Sequence, residues 1–482
     1  MALAGLAAAI YYARLGLSLA HYDARAHLVV ARRILDSLTP GWQQIGAVWL
    51  PLPHVLNMLP VQVDAWYRTG ASAIAISILS MALAAGSLAS LLVRLTGSIV
   101  AAAAGAVLLM ANPNVLYLQG TAMTEPLLFG LSLFSVAAVA AWLDAQAGSE
   151  DRLRRWAGAG LAAACLTRYE AWAITATLLG LALLVRLRRG AGVASAARDV
   201  LRLALWPVIA IVVFSINSKW TVGEWVVSGG FFVPENVEAL GNPMAAARQV
   251  HEGLLRLAGT WLPRAGYAGA AILIWTFVRH STRASLVLLI ALAAAAALPI
   301  AAYTQGHPFR IRYDLPLVVA SAALAAAGIA LLPRLARLPA ALVVIAASVL
   351  QAPPLDREAP LLRESQREAR HMAARKATIT AYLEQHYDGS GIMMSMGSLA
   401  HYMHDLSHAG FSIKDFLHEG NGEIWPHVML RPRGHAGFLI IEGSAEGGDA
   451  LHHASLRDRW LEGFELVAEG GGARLYRAVD SR

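Results

Sequence analysis

Eleven apolar segments in the first 352 residues constrain the fold of this chain more than any other feature. A helix needs about 20 apolar residues to cross a bilayer core, and fewer where it stops short inside the protein. Only 15% of the 482 residues are charged, whereas soluble domains average about 25%. We therefore predict a polytopic α-helical membrane protein with about eleven transmembrane helices. The segments are 1–20, 72–93, 98–112, 123–143, 156–167, 171–186, 201–216, 268–278, 285–302, 314–332 and 338–352.

The composition argues against a nucleic-acid partner, an internal disulfide and a cleaved secretory signal. The net charge of +7 does not indicate a nucleic-acid partner, because the basic residues cluster between apolar segments. The single cysteine, Cys165, lies in an apolar segment, so no disulfide can form within the chain. The first apolar segment begins at Met1 without a basic stretch before it, which favours an uncleaved membrane span over a secretory signal.

Arginines in alternate connections between the apolar segments predict the topology. Cytoplasmic loops carry an excess of Lys and Arg, so these connections are predicted to face the cytoplasm. The arginines are Arg94, Arg152, Arg154, Arg155, Arg186, Arg188, Arg189, Arg198, Arg279, Arg283, Arg334 and Arg337. The remaining connections are then predicted to face outward, and they are 21–71, 113–122, 168–170, 217–267, 303–313 and 353–482.

After Pro353 and Pro354 the sequence becomes charged and rich in histidine. We predict a transmembrane domain over 1–352, with a first outer loop at 21–71, and a small extracytoplasmic α/β domain over 353–482. Periodicity and turn residues predict the elements of the second domain. They are a helix at 361–387, strands at 391–397 and 437–443, a helix at 448–462 and a hairpin at 464–479.

Ionisable and aromatic residues collect on the predicted outer face. Such groups are costly at membrane depth, so their positions carry information about function. They are Tyr22, Asp23, His27 and Trp49 in the first outer loop, Glu125, Arg168 and Glu170 in the middle of the chain, and His307, Arg310, Arg312 and Tyr313 before the tenth segment. Acids and arginines at a membrane boundary suit a substrate with a phosphate head and a lipid tail, because the arginine fork matches phosphate oxygens.

Each cluster also has a purely structural interpretation. Asp23 can cap the amphipathic helix that follows it, and Glu125 can balance the dipole at a helix N-terminus. Arg168 and Glu170 can form a structural ion pair. The outer arginines Arg310 and Arg312 are harder to explain in this way, because they run against the positive-inside bias.

His401, His404 and His408 are spaced to share one face of a helix. Two explanations remain open, a metal site and a polar helix face that packs near the membrane. The first lacks a fourth ligand and any cysteine, so we assign no metal ligand, although a divalent metal remains possible.

With these residues in view, the chain resembles the GT-C membrane glycosyltransferases, and most of all the branch of protein O-mannosyltransferases and the lipid A aminoarabinose transferase. The resemblance rests on "HYDARAH" after the first span, on "HPFRIRYDLPL", on the span count and on the outer C-terminal domain. It implies inverting transfer of a sugar from a polyprenyl-phosphate donor to a lipid, glycan or protein acceptor. The implied location is the periplasmic face of the bacterial inner membrane. Asp23 matches the early acid of the family, although Ala24 stands where many members have a second acid.

The expected roles follow from this resemblance and from the chemistry of each side chain. Asp23 is the expected general base, while Arg310, Arg312 and Arg168 are expected to hold the donor phosphate. The expected contacts with sugar or acceptor are Tyr22, His27, Trp49, Glu125, Glu170, His307 and Tyr313. The alternatives are a transporter or flippase of lipid-linked saccharides, which would need polar residues through the membrane and often inverted repeats, and a ligase that moves a whole glycan.

Overall fold

The computed structural model describes residues 1–146, 148–226, 236–443 and 448–479. Part of the predicted outer connection 217–267 lies outside them. The helices up to residue 352 are α1 (Ala2–Arg14), α2 (Tyr22–Arg33), α3 (Leu52–Asn57), α4 (Asp64–Thr69), α5 (Ala71–Thr96), α6 (Ile99–Ala111), α7 (Pro113–Leu118), α8 (Glu125–Leu143), α9 (Glu150–Cys165), α10 (Glu170–Arg188), α11 (Val193–Val222), α12 (Pro243–Ala258), α13 (Trp261–Arg279), α14 (Ala297–Thr304), α15 (Leu315–Leu331) and α16 (Arg334–Gln351). Shorter 3₁₀ segments occupy Trp42–Ile45, Pro60–Gln62 and Ile311–Asp314, and a longer one, Ser281–Ala296, leads into α14.

Each of the eleven predicted apolar segments coincides with a helix, which confirms a polytopic helical membrane fold. In the described parts of the chain, seven helices are long and apolar enough to cross a membrane, and α6 is a shorter apolar helix. The total number of crossings therefore stays a prediction. Several boundaries differ from the prediction. Helix α1 ends at Arg14 because Gly16 turns the chain with a φ of 71°, α11 extends beyond 201–216 at both ends, and α9 and α13 begin several residues earlier than predicted.

The central helix of the membrane domain is α15, which is buried along nearly its whole length. It packs most closely against α13, and also against α6 and the 3₁₀ segment Ser281–Ala296. Glycines allow the α13–α15 contact: a Cβ on Gly269 would lie 2.1 Å from the Leu324 carbonyl oxygen, and one on Gly328 would lie 2.8 Å from the Gly269 Cα. Small residues at helix crossings let backbones approach in this way.

The segment predicted as the first outer loop, residues 21–71, folds largely as short helices. Helix α2 begins at Tyr22, and its N-cap is His21, whose Nδ1 accepts a hydrogen bond from the Asp23 backbone N–H at 3.2 Å. The capping interpretation of Asp23 is therefore wrong, because His21 is the residue that caps α2. The Asp23 side chain lies inside the first turn and is available for other contacts.

The C-terminal domain is a five-stranded sheet with helices around it. Its elements are α17 (Pro360–Arg375), a π-helical turn (Lys376–Thr380), α18 (Ala381–His386), β1 (Ile392–Met394), α19 (Met396–Ser407), β2 (Phe416–Leu417), α20 (Ile424–Leu430), β3 (Phe438–Glu442), α21 (Ala450–Ser455), β4 (Phe464–Gly470) and β5 (Ala473–Ala478). The order is β2-β1-β3-β5-β4, with β1 parallel to β2 and β3, and β5 antiparallel to its neighbours.

The structure confirms the predicted small sheet of this domain and corrects two boundaries. The strand predicted at 391–397 ends at Met394, because Ser395 is the N-cap of α19. The helix predicted at 448–462 spans only Ala450–Ser455. A helix cap interrupts the first stretch and turns interrupt the second, and the residue pattern alone does not mark either break.

Buried ionic contacts fix the C-terminal domain on the first outer loop. Arg25 of α2, 1% exposed, forms an ion pair with Asp405 of α19. His21 Nε2 lies 3.5 Å from the Glu364 carboxylate of α17. His404 Nε2 contacts the Tyr67 carbonyl oxygen at 3.0 Å. The contacts of His404 and Asp405 hold the C-terminal part of α19 against the segment 21–71.

Candidate active site

A cavity of about 280 Å³ lies between the membrane domain, the first outer loop and α19. Ten of the eleven residues predicted for the site line it; Glu125 lies behind them, fully buried. The ten are Tyr22, Asp23, His27, Trp49, Arg168, Glu170, His307, Arg310, Arg312 and Tyr313. Three segments that are far apart in sequence thus meet at the cavity, and the fourth predicted cluster, Glu125, lies directly behind them.

Asp23 and Arg312 form a buried ion pair at the cavity wall, with Asp23 Oδ2 against Arg312 Nη1. Burial opposes ionisation of Asp23, but the charge of Arg312 and its hydrogen bond to the carboxylate outweigh it and hold the pKa of Asp23 below its usual range. Asp23 is therefore ionised at neutral pH. Arg312 Nε is buried without a hydrogen-bond partner among the described residues, so the guanidinium retains a donor that Asp23 does not use.

The ring of Tyr22 lies beside the two outer arginines. The guanidinium carbons of Arg310 and Arg312 are 5.8 Å and 5.7 Å from its centroid, within cation–π range. Arg312 lies 5.6 Å from the Tyr313 ring in the same way. Aromatic faces therefore hold the planar guanidinium groups at the cavity wall.

Arg168 lies between two carboxylates. Its Nη1 is 3.1 Å from Glu125 Oε1, and its Nη2 is 2.8 Å from Glu170 Oε1. Nη1 also donates a hydrogen bond to Thr124 Oγ1 at 3.1 Å. The structure contains the Arg168–Glu170 ion pair that was one interpretation of the sequence. Because its donors are already used, Arg168 is less available to a phosphate than Arg312.

His27, His54 and Trp49 form an aromatic cluster on the side of the cavity next to Asp23. His27 Nδ1 lies 3.0 Å from His54 Nε2, and the Trp49 ring centroid is 4.1 Å from that of His27. Burial lowers the pKa of His27 to about 3, with Arg168 and Arg312 adding to the effect and Asp23 opposing it. His27 is therefore a neutral imidazole at pH 7.

Several cavity residues were not predicted for the site. They are His54, Thr124, Tyr169, Met396, Ser398 and His401. Met396, Ser398 and His401 of α19 could not be assigned to the site from the sequence around them, because they reach the cavity only through the contact between the two domains. His401 had been noted only as part of the histidine cluster.

The histidines of that cluster bind protein groups. His401 Nε2 accepts a hydrogen bond from Arg375, and His404 Nε2 contacts the Tyr67 carbonyl. In the parts of the chain that are described, no three His, Cys, Asp or Glu side chains are grouped so that they could hold a metal ion. We therefore derive no step through a metal.

Comparison with solved structures decides the fold. The crystal structure of ArnT from Cupriavidus metallidurans bound to undecaprenyl phosphate superposes with a TM-score of 0.63 at 14% identity, covering 99% of this chain and 98% of ArnT. The apo structure of the same ArnT gives a TM-score of 0.58 at 13% identity, covering 97% of each chain. This chain has the ArnT fold. None of the protein-family models and none of the curated proteins matches the sequence.

ArnT, the lipid A aminoarabinose transferase, is a GT-C glycosyltransferase. The likeness to ArnT spans both domains and confirms, at the level of the fold, the resemblance that the sequence predicted. Agreement over nearly the full length at such low identity means that the fold is shared while most side chains differ. Which residues act in this chain must therefore be argued from its own cavity.

Proposed function

We propose that this protein is an inverting glycosyltransferase that moves a sugar from a polyprenyl-phosphate donor to an acceptor at the outer face of the bacterial inner membrane. The observation that carries the proposal is the Asp23–Arg312 pair at the wall of a cavity in an ArnT fold. A carboxylate that can take a proton lies in contact with a cation that can hold a phosphate. The undecaprenyl phosphate bound to ArnT supports the same class of donor here.

In the proposed reaction the acceptor hydroxyl oxygen attacks the anomeric carbon on the side opposite the phosphate. Asp23 takes the hydroxyl proton, the new glycosidic bond forms with inversion, and the polyprenyl phosphate leaves with the electron pair of the broken C–O bond. A carboxylate of low basicity suffices for this role, because the hydroxyl becomes acidic as its bond to carbon forms. Asp23 is ionised before the reaction and is ready to accept the proton.

Arg312 and Arg310 are proposed to stabilise the departing phosphate. Arg312 Nη1 contacts Asp23, and its buried Nε lacks a partner among the described residues. One guanidinium can therefore contact the base and a phosphate oxygen together, which sets the spacing between them. Fixed positive charge where negative charge develops is usually the largest contribution to such a transfer.

The remaining predicted residues receive supporting roles in this proposal. Arg168, with Glu125 and Glu170, adds positive charge at the cavity wall and binds phosphate less directly. The neutral His27 orients Asp23 and the bound sugar. Trp49, Tyr22 and Tyr313 offer ring faces to the sugar or to the start of the lipid chain, and His307 lines the cavity beside them.

The proposed orientation predicts a labelling pattern. Leu35 in the first outer loop, Lys414 in the C-terminal domain and Asp151 in the first turn of α9 are exposed. In intact spheroplasts an impermeant thiol reagent should label Leu35→Cys and Lys414→Cys but not Asp151→Cys. The native Cys165 is buried, so it contributes little background. Labelling of Asp151→Cys without lysis would invert the proposed topology.

The donor class can be tested by native mass spectrometry of the purified protein. We expect a polyprenyl phosphate, or its sugar conjugate, to remain bound because the cavity offers both charge and an apolar boundary. The control is the protein purified after exchange into phospholipid nanodiscs with added undecaprenyl phosphate. Bulk phospholipid as the sole bound lipid in both preparations would contradict the proposed donor.

A further inference from the structure

His401 is the cavity residue of the C-terminal domain whose hydrogen bonding is most fully determined. Arg375 of α17 donates to His401 Nε2 at 2.7 Å. The same guanidinium forms an ion pair with Glu442 at the end of β3 and donates from Nε to the Gly471 carbonyl at 2.9 Å. It also lies 5.5 Å from the Tyr402 ring centroid. Arg375 is 2% exposed, and these contacts fix its orientation.

This arrangement fixes the tautomer of His401. A guanidinium has donors and no acceptor, so His401 Nε2 must present its lone pair to Arg375. Burial, together with the charges of Arg25 and Arg375, holds the pKa of His401 well below its usual range. The ring is therefore neutral, and its one proton is on Nδ1.

The Nδ1–H group has no partner among the described residues, and the His401 ring lines the cavity while being only 7% exposed. The ring meets Tyr22 edge to face, with 6.2 Å between centroids. Tyr22 is also the ring beside Arg310 and Arg312. His401 thus adds a hydrogen-bond donor on the side of Tyr22 formed by the C-terminal domain.

The charges around His401 favour an uncharged oxygen as its partner. The charged groups that act on the His401 ring are Arg25, Arg375, Asp405 and Asp23. Arg25 is paired with Asp405, and Arg375 is paired with Glu442. Because each arginine already has a carboxylate partner, this wall adds no uncompensated positive charge for a second phosphate, whereas a hydroxyl group is compatible with it.

We propose that His401 is an acceptor-binding residue, which donates Nδ1–H to an uncharged oxygen of a hydroxyl-bearing acceptor, and that Arg375 and Glu442 are positioning residues for its ring. This inference rests on the proposed transferase function. It places the acceptor between the C-terminal domain and Asp23, while the donor phosphate lies against the membrane-domain arginines.

Two amide substitutions separate the two nitrogens of His401. Glutamine reaches the position of Nε2 and keeps an acceptor for Arg375, whereas asparagine ends near Nδ1 and keeps a donor towards the cavity. With undecaprenyl-phosphate sugar as donor and a solubilised envelope fraction as acceptor, His401→Gln should raise the half-saturating amount of acceptor about tenfold. The maximal rate, donor hydrolysis and the Kd for undecaprenyl phosphate should not change. His401→Asn, which keeps the donor but loses the contact with Arg375, should have a half-saturating amount of acceptor closer to that of the parent than His401→Gln has.

The outcomes separate this inference from the proposed function. Equal losses in both variants, or a weakened Kd for undecaprenyl phosphate in His401→Gln, would overturn the acceptor role. A parent protein that neither transfers nor hydrolyses any donor would overturn the proposed function and this inference with it. The tautomer is tested separately by ¹⁵N NMR of histidine-labelled protein at about pH 7. The signal missing from His401→Gln should carry its proton on Nδ1, and a proton on Nε2 would contradict the geometry.

Discussion

The Asp23→Asn protein should transfer sugar about 10²–10⁴-fold more slowly than the parent, because an amide cannot accept the acceptor proton. Expression, insertion and binding of undecaprenyl phosphate should remain close to those of the parent. Asparagine has nearly the size of aspartate and keeps an oxygen that can accept from Arg312 Nη1, so the Arg312 Nε donor remains in place for the phosphate. The measurement is the rate of undecaprenyl phosphate release from a saturating donor in proteoliposomes.

The matched control is Asp64→Asn, which makes the same chemical change at an exposed acid of the first outer loop. Asp64 pairs with Arg32 and does not line the cavity, so this variant should transfer at the parental rate. A capping role no longer competes as an explanation, because His21 caps α2. Near-parental transfer by Asp23→Asn would contradict the role of Asp23 and leave Glu170 or Glu125 as the candidate general base.

Replacing Arg312 should weaken the binding of undecaprenyl phosphate and of its sugar conjugate by similar factors, because the phosphate is common to both. Hydrogen bonds to charged groups contribute about 1.5–3 kcal/mol, which corresponds to roughly 10- to 150-fold in Kd. A single Arg312→Ala change would leave the Asp23 carboxylate buried without its partner, which is strongly destabilising. The affinity is therefore best measured by titration of the double variant Asp23→Asn/Arg312→Gln.

Two comparisons make the Arg312 result specific. Asp23→Asn alone should bind undecaprenyl phosphate as the parent does, so a loss in the double variant is due to the arginine. Arg248→Ala removes an exposed arginine paired with Glu238, away from the cavity, and should leave the Kd unchanged. A parental Kd in the double variant would reduce Arg312 to a structural partner of Asp23.

The membrane architecture could be predicted because the bilayer imposes a strong constraint on sequence. Every span must be apolar and helical, so eleven apolar segments were sufficient to locate eleven helices. The ends were less well predicted, because they depend on single residues. Gly16 ends the first helical region through a positive φ, and Ser395 converts the end of a predicted strand into a helix cap.

The candidate site could be predicted in part, because ionisable groups on the outer side of a membrane protein are few and costly. Ten of the residues chosen on that basis line the cavity. The ion pairs among these residues could not be predicted from the sequence, because Asp23 and Arg312 are almost 300 residues apart and meet only in the folded chain. His401 and Arg375 were missed for the same reason: the position of α19 depends on the Arg25–Asp405 contact between the domains.

The central claim is tested most directly by supplying reconstituted parent protein with undecaprenyl-phosphate sugars and an envelope fraction, and then analysing both products. An inverting transferase should release undecaprenyl phosphate and form a glycosylated acceptor whose anomeric configuration is opposite to that of the donor. A transporter would instead move the intact donor across the bilayer and leave the sugar–phosphate bond unbroken. Intact donor on the far side with no free undecaprenyl phosphate, or a product with retained configuration, would contradict the account.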